Sequence, residues 1–307
     1  MTSDGFLLRW MGAGAALGTG LAAYAMWESR AFTLRCATMP VLPAGAKPLR
    51  VLHLSDIHMT PSQSRKQEWV RSLADLEPDL VVNTGDSLAH LEALPPVLDA
   101  LGPLLDVPGV FVLGSNDYYA PTLRNPLKYL LPDDGARNTH TAKLPWQDLK
   151  DAYAGAGWLD LTNRRVSSTV GELTIAWAGV DDPHLAYDDL VAIGGPADAS
   201  ADLRVGVAHA PYLRVLDQYA ADGYEAIFAG HTHGGQVCLP LVGALVTNCD
   251  IEPARAKGLH RHPADSRPED LGSSWLHVSA GLGTSPYAPF RVACRPEATL
   301  LTLTPAA

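Results

Sequence analysis

The sequence predicts an α/β domain built on a largely parallel β-sheet. Five short runs rich in Val, Leu and Ile have the length of buried strands, and each run stops abruptly at Asp, Asn or His. Helical-looking stretches at residues 65–76, 91–104 and 146–156 separate several of these runs. Strands that alternate with helices are typical of a parallel sheet. With 307 residues, 47% of them hydrophobic and 18% charged, the chain can bury such a core.

Polar residues follow each predicted strand at the point where the apolar run ends. The strands are expected at residues 50–55, 80–84, 110–113, 203–208 and 225–229. The residues that follow them, in the same order, are Asp56 and His58, Asp86, Asn116 and Asp117, His209, and His231 with His233. Because ligands bind beyond the carboxyl ends of parallel strands, we expect these distant residues to meet at one rim of the sheet.

The residue types at this rim are those that bind transition metals. Asp56 and His58 are separated by one residue, so a turn at the strand end can direct both side chains at one ion. His231 and His233 have the same spacing, and the glycines around them let the backbone bend. Mixed His and carboxylate ligands favour Mn, Fe, Zn or Co over Ca or Mg. Two such ions about 3.5–4 Å apart are a common arrangement for the in-line attack of water on phosphorus.

The charge balance and the cysteines exclude several other classes of protein. Lys and Arg number 23 against 33 Asp and Glu, a net charge of -10, which argues against a general nucleic-acid binder. A phosphate substrate is still compatible, because bound metal ions can reverse the local potential. The four cysteines form no CxxC pair, so we expect small buried thiols rather than a zinc ribbon, a redox motif or a disulfide.

The N-terminal segment has the composition of a membrane span. Residues 10–27 contain no charge, and a run of this length is just sufficient to cross a bilayer. A cleaved signal peptide and a buried helix of a soluble protein are the alternatives. Arg9 precedes the run and Arg30 and Arg35 follow it, so the positive-inside rule favours a cytoplasmic catalytic domain. We therefore expect a membrane segment at 1–30, a proline-containing extended linker at 31–48 and one catalytic domain at 49–307.

The motifs in this order resemble the calcineurin-like metallophosphoesterase superfamily over residues 50–304. They are Asp-x-His, Gly-Asp, a third block that begins with Gly, an isolated His and Gly-His-x-His. Residues 179–184 and 281–285 resemble its bacterial membrane-associated branch. The resemblance implies a four-layer α/β/β/α sandwich of two mixed sheets. Strands near residues 173–178 and 275–280 would belong to the second sheet.

The resemblance also implies two metal sites. The first ion would be bound by Asp56, His58 and His233, and the second by His209, His231 and the amide oxygen of Asn116, with Asp86 bridging both. Asp86, Asn116 and Asp117 would take part in catalysis. The third block departs from the family's Gly-Asn-His-Asp, because it reads Gly114-Ser115-Asn116-Asp117. Either Ser115 takes the ligand position, or the loop shifts by one residue and Asn116 keeps it. In both cases the histidine that helps to protonate the leaving group is absent.

The function implied is hydrolysis of phosphate mono- or diesters by two ions, of Mn, Fe or Zn, with a metal-bound water as nucleophile. The alternative is a non-catalytic scaffold or binding module on the same fold. The N-terminal segment and an analogy with UDP-diacylglucosamine hydrolases suggest a lipid or cell-envelope substrate.

Three other residues have two interpretations each. His53 lies inside a predicted strand and is expected to be a hydrogen-bonded core histidine rather than a ligand. Arg291 is expected at the surface, with a phosphate contact as the alternative. His184 follows the turn signal Asp-Asp-Pro and either belongs to that turn or lines the pocket.

Overall fold

Two six-stranded mixed sheets form the centre of the molecule. The structure is a computed structural model that describes residues 18–123, 137 and 139–306. In spatial order, the first sheet consists of β1 (Thr33–Leu42), β14 (Glu297–Pro305), β2 (Leu49–Leu54), β3 (Leu80–Asn83), β4 (Gly109–Phe111) and β5 (Leu159–Asp160). Strands β2 to β5 are parallel, β14 is antiparallel to β2, and β1 is parallel to β14.

The second sheet repeats this mixture of directions. Its spatial order is β12 (Gly258–His262), β13 (Ser274–Val278), β9 (Ala226–Ala229), β8 (Leu203–Val207), β7 (Leu173–Gly179) and β6 (Arg164–Val170). The four central strands are parallel, and both edge strands are antiparallel to their neighbours. A separate hairpin joins β10 (Cys238–Leu239) to β11 (Gly243–Ala244).

Seven α-helices lie in the described part of the chain. They are α1 (residues 18–28), α2 (Ser64–Ser72), α3 (Leu94–Leu101), α4 (Ser115–Tyr118), α5 (Trp146–Gly155), α6 (Leu190–Ile193) and α7 (Leu213–Ala221). Short 3₁₀ turns occupy Leu73–Leu76, Gly102–Asp106, His233–Gly235 and Pro253–Arg255. The five predicted strands and the three predicted helical stretches are therefore confirmed, with each of the first two stretches ending in a 3₁₀ turn.

The core is divided into three layers of apolar side chains. Leu52 and Phe111 of the first sheet pack against α2, α3 and α5. Val51 packs on the opposite face of the first sheet, in a cluster with Val205 and Phe228 of the second sheet. A third cluster joins the second sheet to α6 and α7. The layers thus follow the order α/β/β/α, as the family resemblance implied.

A buried histidine pair lies between the two sheets. His53 faces the second sheet because side chains alternate along β2. Its Nδ1 is 2.7 Å from Nδ1 of His277, and its Nε2 is 3.0 Å from Oγ1 of Thr84. Both histidines are buried, and burial lowers both pKa values, that of His277 to about 3. The prediction of a hydrogen-bonded core histidine at position 53 is confirmed.

The N-terminal region differs from the prediction of a separate linker. Thr33–Leu42 forms β1, the edge strand of the first sheet, and Met39 and Leu42 are buried. The linker prediction is wrong for these residues, because proline forbids a continued helix but is accommodated in an edge strand. Residues 10–17 of the predicted membrane span lie outside the described residues. Within the described part of the chain, no helix combines the length and apolar character needed to cross a bilayer.

All four cysteines lie in the described part of the chain, and each is a free thiol there. Only Cys238 and Cys294 are buried, whereas Cys36 is exposed and Cys249 is half-buried.

Candidate metal site

The predicted ligands stand on strained turns at the ends of parallel strands. Five of the seven have positive φ values: Asp56 (49°), His58 (45°), Asp86 (56°), His231 (67°) and His233 (50°). This left-handed region is unfavourable for residues with a Cβ, and most of all for bulky ones. Such strain persists only where the surrounding structure enforces it, and it concentrates at functional sites.

Glycines allow these turns to approach one another closely. A Cβ on Gly114 would lie 2.3 Å from Oδ1 of Asp86 and 2.6 Å from Cε1 of His209. A Cβ on Gly230 would lie 1.8 Å from Oγ of Ser55. Any larger residue at these two positions would displace the polar side chains around the site.

Five of the predicted ligands converge in one buried cluster. Nε2 of His58 is 3.3 Å from Oδ2 of Asp86 and 3.9 Å from Oδ1 of Asp56. Nε2 of His233 is 3.6 Å from Oδ1 of Asp56, and Nε2 of His209 is 3.6 Å from Oδ1 of Asp86. Two sets of three ligand atoms could each hold an ion: Asp56, His58 and His233, and Asp56, Asp86 and His209. Asp86 lies between His58 of the first set and His209 of the second.

The cluster contains buried polar atoms without hydrogen-bond partners. They are Oδ1 of Asp56, both ring nitrogens of His58 and Nε2 of His209. The other carboxylate oxygen of Asp56 is satisfied, because it accepts from Oγ of Ser55 and from the amide of His231. Unsatisfied buried acceptors are costly and rare, and an ion bound among them would satisfy them. The donor set therefore fits transition-metal ions.

Hydrogen bonds at Nδ1 of His209 and His233 determine which ring nitrogen of each side chain faces the cluster. Nδ1 of His209 donates to the carbonyl of Thr84 at 2.7 Å, and Nδ1 of His233 donates to the carbonyl of Gly283 at 3.0 Å. The Nε2 lone pair of each ring then points to the other ligands. This arrangement is the usual one for metal-bound histidine.

Burial and neighbouring charges set the protonation of the cluster. Burial disfavours ionisation of Asp56, but the positive potential of His233 and His209 outweighs it and lowers its pKa. Burial raises the pKa of Asp86 to about 8, and Asp56 and Asp117 add to this effect. The carboxylates around His209 outweigh its burial and raise its pKa to about 9, whereas burial lowers that of His233 to about 4. Asp86 and His209 therefore hold a proton between them, which a bound metal ion would displace.

The profile of one family, described as calcineurin-like phosphoesterase, matches residues 49–235. The chain belongs to this family. It is accordingly a phosphoesterase, and the family binds divalent metals.

The names of two sequence relatives agree with this assignment. The uncharacterized metallophosphoesterase YkoQ of Bacillus subtilis is 28% identical over 265 residues, which cover 84% of each chain. A bovine transmembrane protein with metallophosphoesterase domain is 28% identical over 276 residues, or 85% of this chain and 54% of that protein. The crystal structure of TT1561 from Thermus thermophilus aligns with 77% of this chain and 91% of that chain, at 13% identity and a TM-score of 0.38.

His231 lies at the border of the phosphoesterase site. The centroid of its ring is 5.2 Å from that of His209, but its Nε2 is 3.1 Å from the carbonyl of Asn248. It is not a member of either close ligand set. Its role as a metal ligand stays a prediction.

Asn116 contacts the predicted bridging carboxylate directly. Its backbone amide donates to Oδ1 of Asp86 and its side-chain NH₂ donates to Oδ2, both at 2.7 Å. A ligand role through the amide oxygen requires a half-turn of this group. The hydroxyl of Ser115 accepts from the side-chain NH₂ of Asn116 at 3.4 Å. Of the two alternatives for the third block, these contacts favour Asn116, although ligation by either residue stays a prediction.

Both carboxylate oxygens of Asp117 accept hydrogen bonds from backbone amides. Its Oδ2 accepts from Asp86 at 2.8 Å and Gly114 at 3.0 Å, and its Oδ1 accepts from Ser87 at 2.8 Å and Leu88 at 3.1 Å. These bonds hold the turn that carries Asp86. They fit a positioning role better than the predicted catalytic one.

Two buried basic side chains, whose positions the sequence did not predict, support the ligand turns. Nζ of Lys66 donates to the carbonyl of Ile57 at 2.7 Å and to that of His58 at 3.2 Å, and burial lowers its pKa to about 7. Arg291 is completely buried, so its predicted surface location is wrong. Its guanidinium donates to the carbonyl of Gly283 at 2.7 Å and to other carbonyls of the surrounding loops. No local pattern around either residue reveals these long-range partners.

His184 lies beside the site, as the pocket interpretation proposed. Its ring centroid is 4.3 Å from that of His231, and its Nδ1 is 3.2 Å from the hydroxyl of Tyr212.

Proposed function

We propose that this phosphoesterase hydrolyses phosphate mono- or diesters with two metal ions. The observation that supports this most strongly is the convergence of unsatisfied buried ligand atoms from Asp56, His58 and His209. Asp56, His58 and His233 would hold the first ion. Asp86 and His209, together with His231 and Asn116, would hold the second, and Asp86 would touch both. Mn, Fe and Zn suit this mixture of imidazole and carboxylate ligands.

When bound, two such ions supply positive charge for the phosphate oxygens and activate the attacking water. The protein's own residues keep the ligands in place. Asn116 orients both oxygens of Asp86, while Asp117 fixes the backbone of the same turn. Lys66 and Arg291 donate hydrogen bonds to the carbonyls of Ile57 and Gly283, next to the first set of ligands. This rigid support provides the preorganisation that catalysis requires.

We further propose that the protein works at a membrane, with a lipid or cell-envelope phosphate ester as substrate and its catalytic domain on the cytoplasmic side. Support comes from the uncharged run at residues 10–27 and from Arg30 and Arg35 after it. The bovine relative named as a transmembrane protein with metallophosphoesterase domain agrees with this location.

A chelation and reconstitution experiment tests the reaction. The purified protein is treated with a chelator, dialysed and supplied with Mn, Fe or Zn, and hydrolysis is followed with p-nitrophenyl phosphate and bis(p-nitrophenyl) phosphate. We expect the chelated protein to be inactive and at least one metal to restore turnover. His58→Ala should not be restored, whereas His90→Ala, a control at an exposed histidine, should behave like the unsubstituted protein. Undiminished turnover after complete removal of metal contradicts the proposal.

A further inference from the structure

The β10–β11 hairpin presents an unusual apolar surface. Residues 237–248 contain no charged side chain. Four aliphatic residues in this stretch are exposed: Leu239 (46%), Leu241 (108%), Val242 (71%) and Leu245 (38%). Single exposed apolar residues are common, but several together on one short hairpin usually mark an interaction surface.

Helix α1 exposes apolar residues as well. Leu21, Tyr24, Met26 and Trp27 are all exposed, whereas Ala25 and Glu28 face the protein. The sequence before these residues continues the same uncharged run back to position 10. The exposed side of α1 is therefore apolar from Leu21 to Trp27.

One extended segment connects α1 and the hairpin. The amide of Arg291 donates to the carbonyl of Ala25 at 3.0 Å, and the amide of Ala293 donates to the carboxylate of Glu28 at 2.8 Å. Between them, Val292 bonds to the base of the hairpin, where its carbonyl accepts from the amide of Cys238 at 2.8 Å. Successive residues thus hold α1 on one edge and the hairpin on the other, so the two apolar features are neighbours.

The charges beside these features complement an anionic surface. Arg30 and Arg295 are exposed, and the guanidinium of Arg295 lies 5.5 Å from the centroid of the Trp27 ring. Aliphatic side chains flanked by Trp, Tyr and Arg match the bilayer interface, where rings lie at headgroup level and cations contact anionic lipids. Shallow insertion of a hairpin tip needs no membrane-spanning helix.

The base of the β10–β11 hairpin packs against the turn that carries the predicted ligand His233. It begins five residues after His233, and Sγ of Cys238 donates to the carbonyl of Gly234 at 3.2 Å. A Cβ on Gly235 would lie 2.3 Å from Cβ of Ala244, so the ligand turn and the hairpin touch. A surface that contacts the hairpin is consequently close to the metal ligands.

We propose that the β10–β11 hairpin and the exposed side of α1 rest on a lipid bilayer and bring the metal site to phosphate esters of membrane lipids. The substrate part of this statement rests on the proposed hydrolase function, whereas the membrane contact does not. A bilayer explains the apolar tip, the aromatic residues and the cationic rim together.

Insertion of the tip can be measured without any reaction. In the full chain, Leu241→Trp is mixed with vesicles of phosphatidylcholine and phosphatidylglycerol, with and without bromine on the acyl chains. We expect brominated lipid to quench the added tryptophan beyond the quenching of the unsubstituted protein. Leu271→Trp is the matched control, because Leu271 is 104% exposed but lies in the loop between β12 and β13. Equal extra quenching at both positions, or none at either, overturns the membrane contact.

Turnover tests the link to substrate. Leu241→Asp and Val242→Asp should each lower hydrolysis of phosphatidic acid in vesicles about ten-fold or more. In these variants a charge replaces aliphatic surface that the bilayer would bury. Hydrolysis of p-nitrophenyl phosphate should be unchanged, and Leu271→Asp should alter neither rate. If both esters are hydrolysed and the hairpin variants treat them alike, the inference is wrong but the hydrolase function stands. If the tip is quenched and no ester is hydrolysed, the membrane contact stands and the proposed function fails. The protein could instead form a dimer without lipid that Leu241→Asp dissociates, and show no quenching by brominated lipid. That result would assign the surface to a second copy of the chain.

Discussion

The role of Asp117 can be tested by the substitution Asp117→Asn. The carboxylate accepts four backbone amides, two on each oxygen. Asparagine keeps only one oxygen, so two bonds are lost and an NH₂ group faces their donors. Hydrogen bonds to a charged acceptor contribute about 1.5–3 kcal/mol each, which gives a loss of about 3–6 kcal/mol. For a chain of this size the melting temperature should fall by on the order of 10 °C.

The same substitution should weaken metal binding, because the turn that carries Asp86 loses its support. We expect metal affinity to fall at least ten-fold, as is typical when the partners of metal ligands are altered. Thermal unfolding followed by circular dichroism measures the stability, and activity titrated against added metal measures the affinity. Asp99→Asn is the control, because Asp99 is exposed and pairs with Arg71 at the surface, where an ion pair contributes about 0–1 kcal/mol. A variant with normal melting temperature and metal affinity but low kcat would refute the positioning role and assign Asp117 to the chemistry.

Three further substitutions or deletions probe other parts of the structure. A chain that starts at Lys47 lacks β1 and uncovers β14, so it should melt at a lower temperature than a chain that starts at Arg30; equal melting temperatures would show that β1 contributes no stability. In chelated protein, His277→Leu should reduce the loss of stability on acidification. The pKa of His277 is about 3 in the folded protein against 6.5 in the unfolded chain. Below pH 6.5 only the unfolded chain therefore gains this proton, and the free energy of unfolding falls by up to about 1.4 kcal/mol per pH unit. Urea unfolding at pH 7 and pH 5 measures this fall, and an equal fall in His277→Leu and the unsubstituted protein would contradict the prediction. Asn116→Ala should lower activity and the affinity for the second ion at least ten-fold and Ser115→Ala should not, because of these two side chains only that of Asn116 contacts the predicted bridge; the opposite result would favour the ungapped alignment.

The sequence predicts the parts of the site that depend on local pattern. Asp56, Asp86 and His209 each end an apolar run, and the general geometry of parallel sheets then brings them to one rim. The four-layer arrangement came from the family resemblance, since periodicity alone does not divide strands between two sheets. The conformations of the ligand turns follow from close approaches between distant loops, which no single motif encodes.

The errors and omissions concern long-range contacts. Thr33–Leu42 lacks a clear strand pattern, and its pairing with the C-terminal strand is what makes it a strand. Arg291 looks like a surface residue because nothing near it in sequence needs a cation. Its partners are carbonyls of the His233 turn and of the loop at Gly283, which become neighbours only in the folded chain.

The number of metal ions per chain at full activity tests the central claim most directly. Metal-free protein is titrated with Mn or Zn, bound metal is counted by mass spectrometry, and turnover of p-nitrophenyl phosphate is measured in the same samples. We predict that activity reaches its maximum at two ions per chain, and that Asp86→Ala, which removes the carboxylate between His58 and His209, loses both metal and activity. Full activity in Asp86→Ala, or maximal turnover with no bound ion, would contradict the two-metal site.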